Sequence, residues 1–355
     1  MRTRVVAVVG TVTLLLTACT EAADQPRAER PPTASSAPTS SGPSPSAAPP
    51  RQRPARAPED RLPAVRHPVS LPALMREEPD GGRPQITATE YATDRYTRHR
   101  VRYRSGEVIV SGVLLRPEGK GPFPGIVLNH GYIEPSVYVT GQGLAREQDA
   151  LARAGFVVLH TDYRGHAASG PVGPLERESR LGYTRDAVNA VDALRKLPYV
   201  DDQRLAMLGR SMGGGITMNA LVAHPGLVDA AVVYASVSSR FLDNLRHFTR
   251  PNRPESEQAL YARFGTPRDN PRFYRELSPR TWFDRITEPV LAHHGRVDAT
   301  CPPRWAAETQ RLMRAAGVDS RLLWYPGEDH AFYALWQRSM DRTIAFLRAE
   351  LGDRA

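Results

Sequence analysis

Cysteine is nearly absent from this chain. Its 355 residues hold two, Cys19 and Cys301, too few for a disulfide-stapled scaffold or a metal site built on a cysteine cluster. No apolar run reaches the roughly 20 residues that a membrane-spanning helix needs. There is no helix-turn-helix, zinc-finger spacing or RNA-binding aromatic pattern, so the net charge of +9 does not read as a nucleic-acid module. No internal repeat is visible. The fold therefore rests on an ordinary core, and the roughly 270 residues of globular composition suit one large domain.

What is present starts at the N-terminus. Met1-Arg2-Thr3-Arg4 is a short positive segment, and Val5 to Leu16 is apolar except for Gly10, Thr11 and Thr13. That length suits the hydrophobic region of a signal peptide. It ends in Leu16-Thr17-Ala18-Cys19, which resembles the lipobox of bacterial lipoproteins. The resemblance implies a signal peptide over 1–18, removed in the mature chain, and lipid on Cys19. It also implies export and anchoring at the outer face of the cell membrane. An ordinary secretory signal cleaved nearby is the plainer alternative. The arginines are not adjacent, which argues against a twin-arginine signal. Pro31 to Pro50 is rich in Pro, Ser, Ala and Thr and buries too little apolar surface to offset chain entropy. Residues 19–84 are expected to form a disordered tether. Its arginines, among them Arg27, Arg30, Arg51 and Arg66, either make a solvated linker or lie against an anionic surface.

From about residue 85 the pattern changes. Apolar strands are expected over 97–104, 108–115, 125–129, 156–159, 204–208, 230–235, 289–293 and 321–325. Helical periodicity is expected over 141–154, 182–197, 212–223, 304–316 and 332–351. Short, continuously apolar strands alternating with helices imply an α/β fold: a mostly parallel eight-stranded sheet with helices on both faces. Residues 239–285 lack strand pattern and are expected to be a small lid inserted in a domain spanning 85–355. Ligands of such sheets bind at the carboxyl ends of the strands.

The strongest local signal is Gly209-Arg210-Ser211-Met212-Gly213, between an expected strand and an expected helix. A serine on a strand-to-helix turn sits in a strained backbone, and glycine two residues either side avoids collision. Its hydroxyl stands at a helix N-terminus, where developing negative charge is favoured. Such a serine needs a base and the base needs an orienting acid. His330 follows the last expected strand, and Asp298 follows the strand over 289–293. Both loops open at the same sheet edge as Ser211, in the order Ser, Asp, His. Asp329 and Glu328 are rival acids, but sequence neighbours of a histidine are badly placed to bond its Nδ1. The expected oxyanion donors are the backbone N–H groups of Met212 and of Tyr132, in the loop His130-Gly131-Tyr132. His130 is expected to be structural. His293 and His294 point to opposite faces of a strand and so do not make a metal pair. His160 and His166 are scattered, and Cys301 reads as a buried structural thiol.

Together with Asn129-His130-Gly131, Asp162-Tyr163-Arg164-Gly165, His294-Gly295-Arg296-Val297-Asp298 and Gly327-Glu328-Asp329-His330, the serine motif resembles the α/β-hydrolases. The likeness is to the catalytic domain of the prolyl oligopeptidase family and its esterase relatives. It covers about residues 97–351. It implies acyl transfer to water through a serine ester on Ser211, with no metal or organic cofactor, and a structural role for Asp162 and Arg164. Prolyl oligopeptidases carry a β-propeller where this sequence has low-complexity residues, so carboxylic esters are the expected substrates. Short peptides are the alternative, and a non-catalytic surface-binding protein on a hydrolase scaffold is the alternative from another class. Phe241, Phe248, Tyr261, Phe264, Tyr274 and Trp282 either line an acyl pocket or pack the lid onto the sheet.

Overall fold

Residues 62–352 are described by a computed structural model. The strands, in chain order, are β1 (Gln85–Ala92), β2 (Tyr96–Ser105), β3 (Val108–Pro117), β4 (Phe123–Asn129), β5 (Val157–Thr161), β6 (Val200–Arg210), β7 (Ala230–Tyr234), β8 (Val290–Gly295) and β9 (Ser320–Tyr325). They form one sheet in the order β1-β2-β3-β5-β4-β6-β7-β8-β9. Pairing is antiparallel from β1 through β3 to β5. From β5 to β9 it is parallel.

The helices are α1 (Leu71–Leu74), α2 (Ala145–Arg153), α3 (Pro174–Ser179), α4 (Leu181–Arg195), α5 (Met212–Ala223), α6 (Phe241–Asn244), α7 (Arg250–Asn252), α8 (Pro254–Phe264), α9 (Pro271–Glu276), α10 (Pro303–Ala315) and α11 (Trp336–Leu351). Proline opens α8, α9 and α10, where its missing N–H costs no helical bond. Every side chain of β5 and β7 is buried, as expected for strands covered on both faces. One core layer joins the sheet to α4, α5 and α10, through residues such as Val191, Ile216 and Met313. The other joins it to α2 and α11, through Leu151, Phe346 and Leu347.

The topology places the site. The chain leaves β4, passes through α2 to β5 on one side, and returns by α4 to β6 on the other side of β4. The strand order therefore reverses between β4 and β6, where a crevice opens beyond their carboxyl ends. Asn129, the last residue of β4, lies beside Gly209 of β6. The loops that follow these two strands are thus forced together.

Two expectations need correction. The sheet has nine strands rather than eight. The extra one, β1, is an edge strand with no buried side chain, so no alternating pattern marked it. The tether expected over 19–84 lies outside the described residues only as far as 61. Beyond that, Leu62, Leu71, Leu74 and Met75 are buried in the main core. Asp80 and Gly81 donate backbone N–H groups to the Asn189 and Asp192 side chains of α4. Four apolar residues among prolines and arginines suffice, since burying each is worth about 1.5–3 kcal/mol.

A buried ion pair ties the β5 edge to α4. Asp186 accepts from the Arg164 N–H, Nε and Nη2 at 2.7, 3.1 and 2.8 Å, and from Ser105 Oγ at 2.7 Å. Asp162 likewise accepts from Ser111, Tyr138 and the Gly141 N–H. Asp162 and Arg164 thus hold backbone turns, the structural role that the resemblance implied for them. Asp186→Ala would strand the Arg164 cation and is expected to lower stability by about 3–5 kcal/mol, measured by urea denaturation. A loss under about 1 kcal/mol would mean that the exposed edge of Glu176 takes over the cation.

Candidate active site

Ser211 sits between β6 and α5 with φ 56° and ψ −119°. Such a backbone is unusual for a residue with a side chain. It is possible here because glycine stands two residues to either side. A Cβ on Gly209 would stand 2.1 Å from the Gly213 carbonyl oxygen, and one on Gly213 would stand 1.9 Å from the Asn129 carbonyl oxygen. The turn is pinned by backbone hydrogen bonds. The Ser211 N–H donates to Tyr234 at 2.9 Å, and its carbonyl accepts from Gly214, Gly215 and Val237.

The loop after β4 closes over this turn. Gly131 approaches so closely that an added Cβ would be 3.3 Å from Ser211 Cβ. Among the described residues, neither the Tyr132 N–H nor the Met212 N–H donates to a protein acceptor. Two adjacent unused N–H groups flank the serine, the arrangement an oxyanion requires.

Asp298 and His330 meet across the loops after β8 and β9. His330 Nδ1 lies 2.9 Å from Asp298 Oδ2. Asp298 Oδ1 accepts from the N–H groups of Thr300 and Cys301 at 2.9 and 2.8 Å. Burial is the largest influence on the Asp298 carboxyl and pushes its pKa up. The hydrogen bonds from His330 and Cys301 and the neighbouring imidazoles outweigh it, and the net shift is down. An ionised carboxylate therefore faces Nδ1–H, which leaves Nε2 as the imidazole's basic nitrogen. The rival acids are elsewhere. Asp329 caps the Ala331 N–H, and Glu328 is buried against the Leu335 N–H.

In this structure the Ser211 hydroxyl turns toward the Cys301 thiol, which burial pushes well above the usual thiol range. No hydrogen bond joins Ser211 to His330. Cys301 is fully buried and free. His294 sits 2.8 Å from the Cys301 carbonyl and 3.5 Å from Asp298. Burial keeps its pKa low, so it braces the Asp298 loop as a neutral ring. His130 and His293 are also buried, each with its pKa lowered to about 3, chiefly by burial. His130 stacks on Tyr138, and His293 stacks on Tyr234. Both are structural.

Arg210 was not singled out by sequence beyond its place in the motif. Its Nη1 donates to the carbonyls of His330 and Ala331 at 3.1 and 3.2 Å, and its Nη2 to buried Glu147 at 2.8 Å. Arg146 donates to the Ala331 and Phe332 carbonyls from the next position on α2. Trp336 Nε1 completes the Glu147 contacts at 3.0 Å. The histidine loop is thereby fastened to the residue preceding the serine.

Beside Ser211 lies a cavity of about 460 Å³. Met212, Val237, Phe241, Leu245, Phe248 and Leu277 give it an apolar wall. Of the six lid aromatics, Phe241 and Phe248 line it. The others pack the lid itself: Phe264 stacks on Phe273 at 4.2 Å, and Tyr261 meets Tyr274 edge-on. A π-helical turn over Leu245–Thr249 forms part of the wall. Among the described residues no group of three His, Cys, Asp or Glu stands together to hold a metal. No described helix is long and apolar enough to cross a membrane.

Comparison with known proteins decides the family: residues 143–354 match the model of the prolyl oligopeptidase family. The chain belongs to that family. Pig dipeptidyl peptidase 4 is 28% identical over 178 residues, 49% of this chain and 22% of that enzyme. A puromycin-hydrolyzing peptidase of Mycobacterium tuberculosis is 25% identical with a TM-score of 0.54, covering 76% of this chain and 40% of that one. Acetyl xylan esterase 1 from Thermoanaerobacterium is 17% identical with a TM-score of 0.61, covering 83% of this chain and 95% of that one. The last likeness concerns the fold alone. The chain spans roughly a fifth to a third of the length of the curated relatives it matches.

If Arg210 sets the histidine loop, Arg210→Gln should slow the reaction of Ser211 with a fluorophosphonate by about tenfold or more, as small displacements in such sites do. Arg210→Lys should recover part of that rate. Unchanged labelling by the Gln variant would mean that Arg146 alone holds the loop.

Proposed function

We propose that the chain is a serine peptidase acting on short peptides and related small acyl-amides. The observation that carries this reading is the His330–Asp298 pair beside an elbow serine, in a chain of the prolyl oligopeptidase family. In the proposed mechanism His330 Nε2 takes the Ser211 proton as Oγ attacks the substrate carbonyl. The oxyanion is held by the N–H groups of Met212 and Tyr132. His330 then gives the proton to the departing amine, and the C–N bond breaks. Water attacks the acyl-serine with His330 again as base, releasing the acid and restoring the serine. Asp298 keeps the imidazole in the productive tautomer and stabilises its cation.

A second reading is hydrolysis of carboxylic esters through the same acyl-enzyme. What favours it is the apolar cavity, which accepts an acyl group whatever the leaving group, together with the extent of the fold shared with the acetyl xylan esterase. The two are separated by assaying aminoacyl p-nitroanilides beside p-nitrophenyl esters. Turnover of both is expected, with Ser211→Ala abolishing it and Asp298→Asn lowering kcat by about 10⁴. Ester turnover without anilide cleavage would leave the second reading. A folded wild type that fails to label with a fluorophosphonate would sink both.

The same proposal has the mature protein exported and held at the outer membrane face by lipid on Cys19, which lies outside the described residues. A single acyl chain binds reversibly and two hold firmly. Cys19→Ser should therefore move the protein from the membrane pellet to the soluble fraction and end incorporation of an alkyne-tagged fatty acid. Continued tagging of the variant would disprove the assignment.

A further inference from the structure

One charged residue in the cavity is not neutralised. Arg180 joins α3 to α4 with φ 64°, a left-handed backbone that costs a non-glycine residue about 1 kcal/mol or more. The turn aims its side chain at the cavity beside Ser211. Its neighbours are already paired. Arg253 donates to Glu178 at 2.9 Å, and Arg177 reaches Glu134 at 3.3 Å. Glu178 also accepts from Thr249. These three arginines and two glutamates leave one positive charge over.

Arg180 donates to the Arg177 carbonyl at 2.8 Å and lies against the rings of Tyr132 and Tyr183. Among the described residues it has no carboxylate within ion-pair distance. A guanidinium has five N–H donors, so most of its capacity is unspent. Burial disfavours its charge, as the downward pull on its pKa shows. A half-covered cation with idle donors beside a reactive serine calls for an anion.

Asn219 adds a hydrogen-bond acceptor to the same wall. It is 5% exposed, lines the same cavity, and its side-chain oxygen has no partner. Its amide nitrogen is 3.3 Å from Thr184 Oγ1, and Thr184 in turn donates to the Arg180 carbonyl. Asn219 and Arg180 therefore belong to one wall. Asn219 lies two helical turns along α5 from Met212. The opposite wall is apolar. Such a cavity fits an acyl group with an aliphatic stem and a polar, anionic end.

We propose that Arg180 is the specificity determinant of this pocket. It receives a carboxylate at the far end of the substrate's acyl chain, so that glutamate-like acyl groups are taken in preference to their neutral amides. The inference rests on Ser211 being the nucleophile that the proposed function assigns.

The test compares the α-p-nitrophenyl esters of N-benzyloxycarbonyl-glutamate and -glutamine, each corrected for uncatalysed hydrolysis. These activated esters are cleaved whether the enzyme is a peptidase or an esterase. The glutamate ester should show kcat/KM at least tenfold above the glutamine ester. That ratio should fall to about one in Arg180→Gln and be partly kept in Arg180→Lys. Equal rates for the two esters on wild type that labels at Ser211 would overturn the inference and leave the serine assignment standing. If wild type neither labels nor turns over, the decision passes to binding. Calorimetry with Ser211→Ala should find N-acetylglutamate bound at least tenfold more tightly than N-acetylglutamine, and equal affinities would again overturn the inference.

Discussion

The site depends on a backbone that a serine does not adopt unaided. At φ 56° and ψ −119°, Ser211 is kept from relaxing by four backbone hydrogen bonds, which reach α5 and the end of β7. The space this requires exists because Gly213 lies against the Asn129 carbonyl and Gly209 against Gly213 itself. Any side chain at either position would push β4, β6 and α5 apart. From that one constraint much of the rest follows. The close approach of β4 brings Gly131 onto the serine. The axis of α5 then fixes where the Met212 amide points and which of its residues face the cavity.

The histidine and its acid are held by another principle. Neither loop after β8 nor β9 is regular, and their position comes from donors aimed at backbone and carboxylate oxygens. Arg210 and Arg146 grip successive carbonyls from His330 to Phe332. The Arg296 and Val297 amides grip Tyr325 and Glu328 in the same way. The bonds from the two guanidinium groups are charge-assisted and stronger than the neutral backbone ones. The buried pair Arg210–Glu147 is costly to desolvate, and Trp336 and the two loop carbonyls offset that cost with further hydrogen bonds to it. One arginine thus couples the nucleophile's turn to the base's loop, so a shift in either moves the other.

Much of this was readable in the sequence because it is written in short-range chemistry. A serine flanked by glycines between a strand and a helix, with an acid and a histidine after later strands, constrains both fold and site. What could not be read depends on contacts between distant segments. β1 has no buried face, so its residues carry no period to detect. Leu62, Leu71, Leu74 and Met75 are dispersed in a polar, proline-rich stretch, and only their common partner in the core unites them. The lid aromatics divide between cavity and lid packing according to tertiary placement, which composition does not encode. Arg180 looks like one more arginine in a basic chain until the pairing of its neighbours is known.

The strain in this molecule is not spread evenly. Leaving glycine aside, the described residues with positive φ include Tyr163 after β5, Ser211 after β6, Ala235 after β7 and Phe332 after β9. Each begins or belongs to a loop at the carboxyl edge of the sheet, and Arg180 adds a fifth on the cavity wall. Conformations of this kind cost of order 1–3 kcal/mol each and persist only where the surroundings over-determine them. Here the surroundings are paired parallel strands, β5 and β7 among them buried along their whole length, whose ladders leave their ends no freedom to slide. The rigid sheet and the strained edge are therefore one design. Order in the layer below holds the serine turn, the histidine loop and the arginine wall in positions that none of their own sequences would choose.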